Sequence, residues 1–269
     1  MNIINVKTKL DKDGIKAITG KFIDESYIKY PIISENTTVY NEHGEIVLVF
    51  LKNAIPFDFA KQAYPFLRKA CKDTYNRGTS AGDLSGYKVG DKIGYLTIGK
   101  IEENRFYPLK KDKTISTTAY AKSVASGVIG YMDRYPRIPY CRATALTYEF
   151  FQEYKKTLPY IRYISAMFKK YVPEKYNKQK EYWEKINKDF KIDNTVFTTI
   201  TVNKNFRTAC HFDKGDYKDG FGNLAVIESG KYNGSYTVIP KYGIAVDVRN
   251  CDICFFDVHE LHGNTELKT

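Results

Sequence analysis

After Phe190 the chain changes its period. Five short runs follow, TVFTTITVNKNF, LAVIESG, GSYTVIP, GIAVDV and DICFFDV, each rich in β-branched or aromatic residues and each bounded by turn residues. No helical interval of about 10–15 residues separates them, which argues against βαβ crossovers in this region. A stretch of this kind closes into a barrel or a double-sheet roll, and a helical layer is its natural support. The preceding residues can supply that layer. Residues 58–76 carry helical spacing at Phe59, Ala63, Phe66, Leu67 and Ala70, with Pro65 marking a new start. Residues 118–133 and 144–169 are expected to be helices, the second broken near Pro159, and 174–189 an amphipathic helix. Within the first 55 residues NIINVKT and EHGEIVLVFL are expected as strands with NEHG as a tight connection, and DKIGYLTIGK adds another strand. The expected class is α+β. One domain spans 1–269, with 1–190 as mixed β and helical support and 191–269 as a β-rich metal-binding core.

The charge balance, 42 Lys and Arg against 31 Asp and Glu, gives a formal +11. Attraction to a polyanion is one reading and a Lys-rich surface the other. The basic residues are spread along the chain, so a binding face has to be assembled by folding. Five cysteines at irregular spacing make a poor disulfide framework and suit a reducing compartment. Cys251 and Cys254 lie in a strand-like Ile/Phe run, which points to core cysteines rather than a redox pair. No apolar stretch approaches the roughly 20 residues needed to span a bilayer, and the N-terminus lacks a secretory apolar region. The expectation is a soluble, intracellular chain with no membrane partner and no obligate protein partner.

The four histidines are His43, His211, His259 and His262. His211 and Asp213 form H-x-D, and in a strand residues i and i+2 face one side. A histidine some fifty residues later, either His259 or His262, would complete two imidazoles and a carboxylate. That set suits Fe(II) with coordination positions left open, though zinc accepts the same donors. GDYKDGFG, just after Asp213, is a turn suited to the mouth of such a site. H-E-x-x-H does not occur in the chain. RGTSAGDLSGYKVG, residues 77–90, is a Gly-rich loop without the lysine and spacing of a phosphate-cradling P-loop.

The text from ITVNKNFRTACHFDKGD through GSYTVIPKYGIAVDV to DICFFDVHELHGNT, with NRGTSAG upstream, resembles the 2-oxoglutarate- and Fe(II)-dependent dioxygenases of the TET/JBP type. The resemblance implies a distorted double-stranded β-helix, jelly-roll-like, with flanking helices. It implies Fe(II) and 2-oxoglutarate as cofactors and hydroxylation of a methyl group on thymine or 5-methylcytosine in DNA. His211 and Asp213 become iron ligands, and HGNT after FFD favours His262 as the third. Arg207 matches an arginine used near the co-substrate, and Asp216 is a candidate to orient a base or a co-substrate contact. Lys268, six residues beyond His262, is the cation where the family usually places an arginine for the distal carboxylate. Asn203, Asn205, Arg77, Ser80 and Tyr242 are candidate substrate contacts, and Arg134, Arg137 and Arg142 candidate phosphate contacts. RNA or protein as substrate, with hydroxylation of a protein side chain, is the rival reading. An inactive nucleic-acid-binding module is another.

Overall fold

The computed structural model describes residues 1–82, 84, 99–102, 104–117, 119–132 and 140–268. The first half runs β1 (Asn2–Asn5), α1 (Lys12–Ile18), β2 (Thr37–Tyr40), β3 (Ile46–Leu51), α2 (Phe57–Ala70), β4 (Lys72–Thr74), β5 (Gly99–Glu102), β6 (Arg105–Pro108), β7 (Val124–Met132) and β8 (Arg142–Ala143). Three helices follow: α3 (Ala145–Glu149), α4 (Phe151–Tyr171) and α5 (Pro173–Glu184). The remainder is β9 (Thr199–Asn203), β10 (Gly222–Ala225), β11 (Asn233–Gly234), β12 (Thr237–Ile239), β13 (Ile244–Val246), β14 (Ile253–Phe256), β15 (Gly263–Asn264) and β16 (Leu267–Lys268). Helices and sheets are both present, and among the described residues no sheet closes into a barrel.

The largest sheet has the order β1-β2-β3-β14-β10. VLVFL on β3 and ICFF on β14 are continuous apolar runs because both faces of this sheet are covered. Val49, Leu51, Ile253 and Phe255 point to one side, where they join Phe66, Ile161 and Phe168 of α2 and α4. Phe168 stacks on Phe255 with ring centroids 5.5 Å apart. Leu48, Phe50, Cys254 and Phe256 point to the other side, against Ile239, Ile244 and Val246 of the β13-β12-β15 sheet. The metal-ligand segments hang from this second layer. Cys251 and Cys254 are buried free thiols, as the apolar run implies. The β2–β3 connection is the expected tight one: Asn41 Oδ1 accepts from the backbone of His43 and Glu45, which accounts for the exposed His43.

Three expectations need correction. Residues 118–133 are not a helix. Val124–Met132 is a strand paired with β4 on one side and β9 on the other. Two glycines decide it. A Cβ on Gly127 would lie 2.1 Å from the carbonyl oxygen of Ala70, and Gly130 has φ +100 with Thr198 O at 2.4 Å. Both permit a close backbone approach, and both are poor helix residues. Pro159 does not break its helix, and Pro65 does not start one. Each proline sits inside, in α4 and α2. The carbonyls they leave unbonded, on Lys155 and Lys61, belong to exposed residues where water can serve them. The interruption falls instead at Phe150, which ends α3 and begins α4. The Gly-rich segment is also not wholly irregular, since Gly78–Ala81 form a 3-10 turn. Most of DKIGYLTIGK lies outside the described residues.

Candidate metal centre

His211 and His262 face each other as an isolated antiparallel bridge. Each donates its backbone N–H to the other's carbonyl, at 2.9 and 3.1 Å. Asp213 follows two residues after His211, and its own N–H is held by Val258 O at 3.1 Å. His211 Nε2 lies 3.4 Å from Asp213 Oδ1, and His262 Nε2 lies 3.6 Å from Oδ2. One ligand atom from each of the three is within 4.8 Å of the other two. His262 is also buried edge-on against Phe256, with ring centroids 5.1 Å apart.

The second nitrogen of each ring fixes its tautomer. His211 Nδ1 is 2.8 Å from Ala209 O, and His262 Nδ1 is 2.9 Å from Glu260 O. A carbonyl only accepts, so each Nδ1 carries the hydrogen, and Nε2 of a neutral ring presents its lone pair toward Asp213. Two lone pairs facing a carboxylate call for a cation between them. Burial pushes the Asp213 carboxyl up, but if the two rings were protonated, hydrogen bonds from His211 and His262 and their charge would outweigh it and hold the group well below the usual carboxylate range; a cation between neutral rings would do the same. The donor set is two imidazole nitrogens and one carboxylate on one side, which fits Fe(II).

His259 is not part of this cluster. Its Nδ1 lies 3.2 Å from Asp257 Oδ1 and its Nε2 lies 3.3 Å from Asp216 O. Both ring nitrogens point at Asp257 and Asp216, away from the His211–Asp213–His262 cluster. His259 ties the exposed Asp213–Asp216 turn to the segment that carries His262.

The wall around the centre is built from the misread strand and the Gly-rich turn. Arg77 Nε donates to Ser126 Oγ at 2.7 Å and its Nη2 to Gly127 O at 3.2 Å. Ser126 in turn donates to Asn203 Oδ1. Burial pulls the Arg77 guanidinium below its ordinary value, and the Asp213 carboxylate opposes that pull, which marks the two as neighbours. Ser80 Oγ donates to Arg77 O, while Ser80 O accepts from Ala209, the residue whose carbonyl orients His211. Arg77, Ser80 and Asn203 are therefore brought together beside the metal ligands. Ser126 was missed because it lies within the segment read as a helix. The two orienting carbonyls carry no side-chain signature at all.

Other candidates stand elsewhere. Arg207 donates through Nη2 to Ile23 O at 2.8 Å and lies over the Phe22 ring, 4.9 Å from its centroid. Lys268 is exposed and paired with Glu25 at 2.7 Å, so its ammonium is already matched by a carboxylate. Tyr242 is only 4% exposed and packs into the core with Ile239 and Ile244, its hydroxyl 3.4 Å from Glu260. Asn205 is exposed, with φ +48. Arg142 begins β8 and places Nη2 3.8 Å from Met132 Sδ. Arg134 and Arg137 lie outside the described residues.

A family model, Tet_JBP, the oxygenase domain of the 2OGFeDO superfamily, matches residues 127–269, just over half of the chain and all three clustered ligands. The chain belongs to the Tet_JBP family. The superfamily comprises 2-oxoglutarate- and Fe(II)-dependent dioxygenases, and this is an oxygenase domain of that kind, with those two cofactors. Thymine dioxygenase JBP1 of Trypanosoma brucei brucei is 38% identical over 146 residues, 53% of this chain and 17% of its own. Thymine dioxygenase JBP1 of Leishmania major is 33% identical over 202 residues, 73% of this chain and 24% of its own. The bifunctional helicase and thymine dioxygenase JBP2 of Leishmania tarentolae is 34% identical over 144 residues, 53% and 13% of the two chains. The Tet_JBP chain thus spans between 13% and 24% of the length of these relatives. A solved structure of NgTET1 in complex with 5mC DNA aligns over 97% of this chain and 87% of that one, with a TM-score of 0.43 and 13% identity. No helix among the described residues is long and apolar enough to cross a membrane.

Proposed function

We propose that the chain hydroxylates the methyl group of a pyrimidine base in DNA, with thymine going to 5-hydroxymethyluracil as the first substrate and 5-methylcytosine as the second. The observation that carries this reading is the His211–Asp213–His262 cluster, its two imidazoles oriented by carbonyls toward one carboxylate. Relatives named thymine dioxygenases direct it to a base methyl group. On this reading the β3-β14-β10 and β13-β12-β15 layers are the two walls of a distorted double-stranded β-helix, with the ligands at its open end.

His211, Asp213 and His262 would hold Fe(II), the donor set suiting that ion. With 2-oxoglutarate and dioxygen bound, the centre supplies the oxidising power that converts a C–H bond to C–OH while 2-oxoglutarate loses carbon dioxide to give succinate. The protein's own work is placement. Ala209 O and Glu260 O keep the imidazoles aimed. Arg77, fixed by Ser126 and Gly127, offers positive charge beside Asp213 for an anionic group of co-substrate or substrate. A base in a duplex has to leave its stack to reach the centre, at a cost of a few kcal/mol that contacts to the strand must offset.

The test is mass spectrometry of DNA digested after incubation with Fe(II), 2-oxoglutarate and oxygen, using thymine-only and 5-methylcytosine duplexes. The expected product is 5-hydroxymethyluracil, lost in His211→Ala and Asp213→Ala. No oxidised base from either duplex would sink the substrate assignment, and a hydroxylated peptide from the same assay would transfer it to protein side chains.

A further inference from the structure

A second concavity, of about 340 Å³, adjoins the Arg77 wall, lined by Phe22, Ala81, Lys122, Lys204, Asn205 and Arg207 among others. Its geometry follows from the β7–β9 pairing. Ser126 stands opposite Asn203, and Lys204 N donates to Ala125 O at 3.0 Å. The residue two before β7, Lys122, and the residue after β9, Lys204, therefore meet at one edge of the sheet. Arg207 comes in from the irregular segment that leads from β9 to His211.

Among the described residues, three cations and no carboxylate line this cleft. Among the described residues, no ion pair engages Lys122, Lys204 or Arg207. Arg207 does act on Asp24, an exposed carboxylate that also accepts from the Ser26 backbone at 2.8 Å, so the unmatched charge of the cleft rests chiefly on Lys122 and Lys204. Elsewhere on this surface lysines have acidic partners, as in Lys69–Glu153 and Lys178–Glu174. Convergent cations without a counter-charge repel one another, and an anion removes that penalty. The positive strip also runs on toward the metal centre. Lys204 and Arg77 both act on the thiol of Cys71, and Arg77 acts on Asp213. Arg207 is four residues from His211, so the chain separates them by no more than about 14 Å. Lysines suit a phosphate as mobile point charges, and Phe22 and Phe206 give the cleft an apolar rim for a sugar.

We propose that this cleft binds a backbone phosphate of the DNA strand, close to the nucleotide presented at the metal centre. The inference rests on DNA being the substrate. It assigns to Lys122 and Lys204 the role of holding the strand, distinct from co-substrate binding.

The test measures binding of a short thymine oligonucleotide by fluorescence anisotropy between about 50 and 200 mM salt, for the full chain and for Lys122→Ala/Lys204→Ala. The double variant should bind about tenfold more weakly or worse. Its slope of log K against log salt should fall by about 0.7 for each strand phosphate no longer neutralised. Lys122→Arg/Lys204→Arg should restore both, and 2-oxoglutarate affinity of the metal-loaded protein should not change. An unchanged slope overturns the proposal. So does loss of 2-oxoglutarate binding, which would make the cleft the co-substrate seat, and so does competition by thymidine monophosphate as strong as by the oligonucleotide. A chain that binds the oligonucleotide with this lysine dependence yet oxidises no base would leave the cleft standing and remove only the reaction.

Discussion

The two imidazoles at the centre differ from the third, His259, only in what their ring nitrogens meet. His211 and His262 each give one nitrogen to a carbonyl and turn the other toward Asp213, whereas both nitrogens of His259 point at Asp257 and Asp216, away from the cluster. Cobalt or iron titration followed by absorption should therefore show His262→Ala losing metal affinity by about 100-fold or more. His259→Ala should stay within the roughly 10–100-fold range of residues that only orient ligands. The reverse order would reassign the third ligand. A second residue-scale effect concerns alkaline pH. Burial pushes the Cys210 thiol up from 9.0 to about 12 and pushes that of Cys254 up as well. The unfolded chain releases these protons from about pH 9 upward while the folded chain keeps them. Stability is thus fully present below pH 9 and falls as pH rises from there toward 12. Thermal melts across that window should show the decline, and Cys210→Ala/Cys254→Ala should flatten it. At this scale H-x-D was legible, because a two-residue spacing places both groups on one side of a strand. The orienting carbonyls of Ala209 and Glu260 were not, since any residue type offers one. Tyr242 misled for a related reason, because tyrosine serves a core and a binding rim equally well and only burial separates the two.

Among the elements, β7 does the most and was the least legible. Its Ala, Val and Ile spacing satisfies a helical template, and the evidence against a helix lies in Gly127 and Gly130, whose neighbours are distant in sequence. Gly127→Ala tests this. A methyl group 2.1 Å from Ala70 O has to push α2 away or shift the strand, for a loss of about 1–3 kcal/mol or more. The midpoint of urea unfolding should fall accordingly. A midpoint unchanged from wild type would mean that the close approach is not needed. The same shift would carry Ser126 and Arg77 with it, so oxidation should suffer in the folded fraction too. α2 and α4 were legible from spacing despite their prolines, because the apolar stripe outweighs one missing hydrogen bond on a wet face.

At the scale of the molecule, the β-rich third was legible as β-rich but not as dependent. β14 lies between β10 and β3, so one of its two edges is paired with a strand from the start of the chain. Lys52 and Asp252, 200 residues apart, seal that junction at 3.2 Å. No periodicity within 191–269 could announce a partner strand so far away. A fragment of residues 191–269 should therefore fail to fold alone, with little dispersion in its amide NMR spectrum and no bound metal. A well-dispersed spectrum would show that the N-terminal strands are dispensable. The His211–His262 bridge has a further consequence. The two residues are 51 positions apart and are joined by a single pair of reciprocal backbone bonds. A slip of one residue on either side would turn one imidazole to the opposite face. A bound metal acts as a clasp on that long loop, stabilising only the aligned state and adding stability in proportion to the logarithm of its concentration over Kd. Metal occupancy then becomes a gauge of whether the whole sheet has closed in register. Iron starvation would then loosen the fold as well as stop turnover.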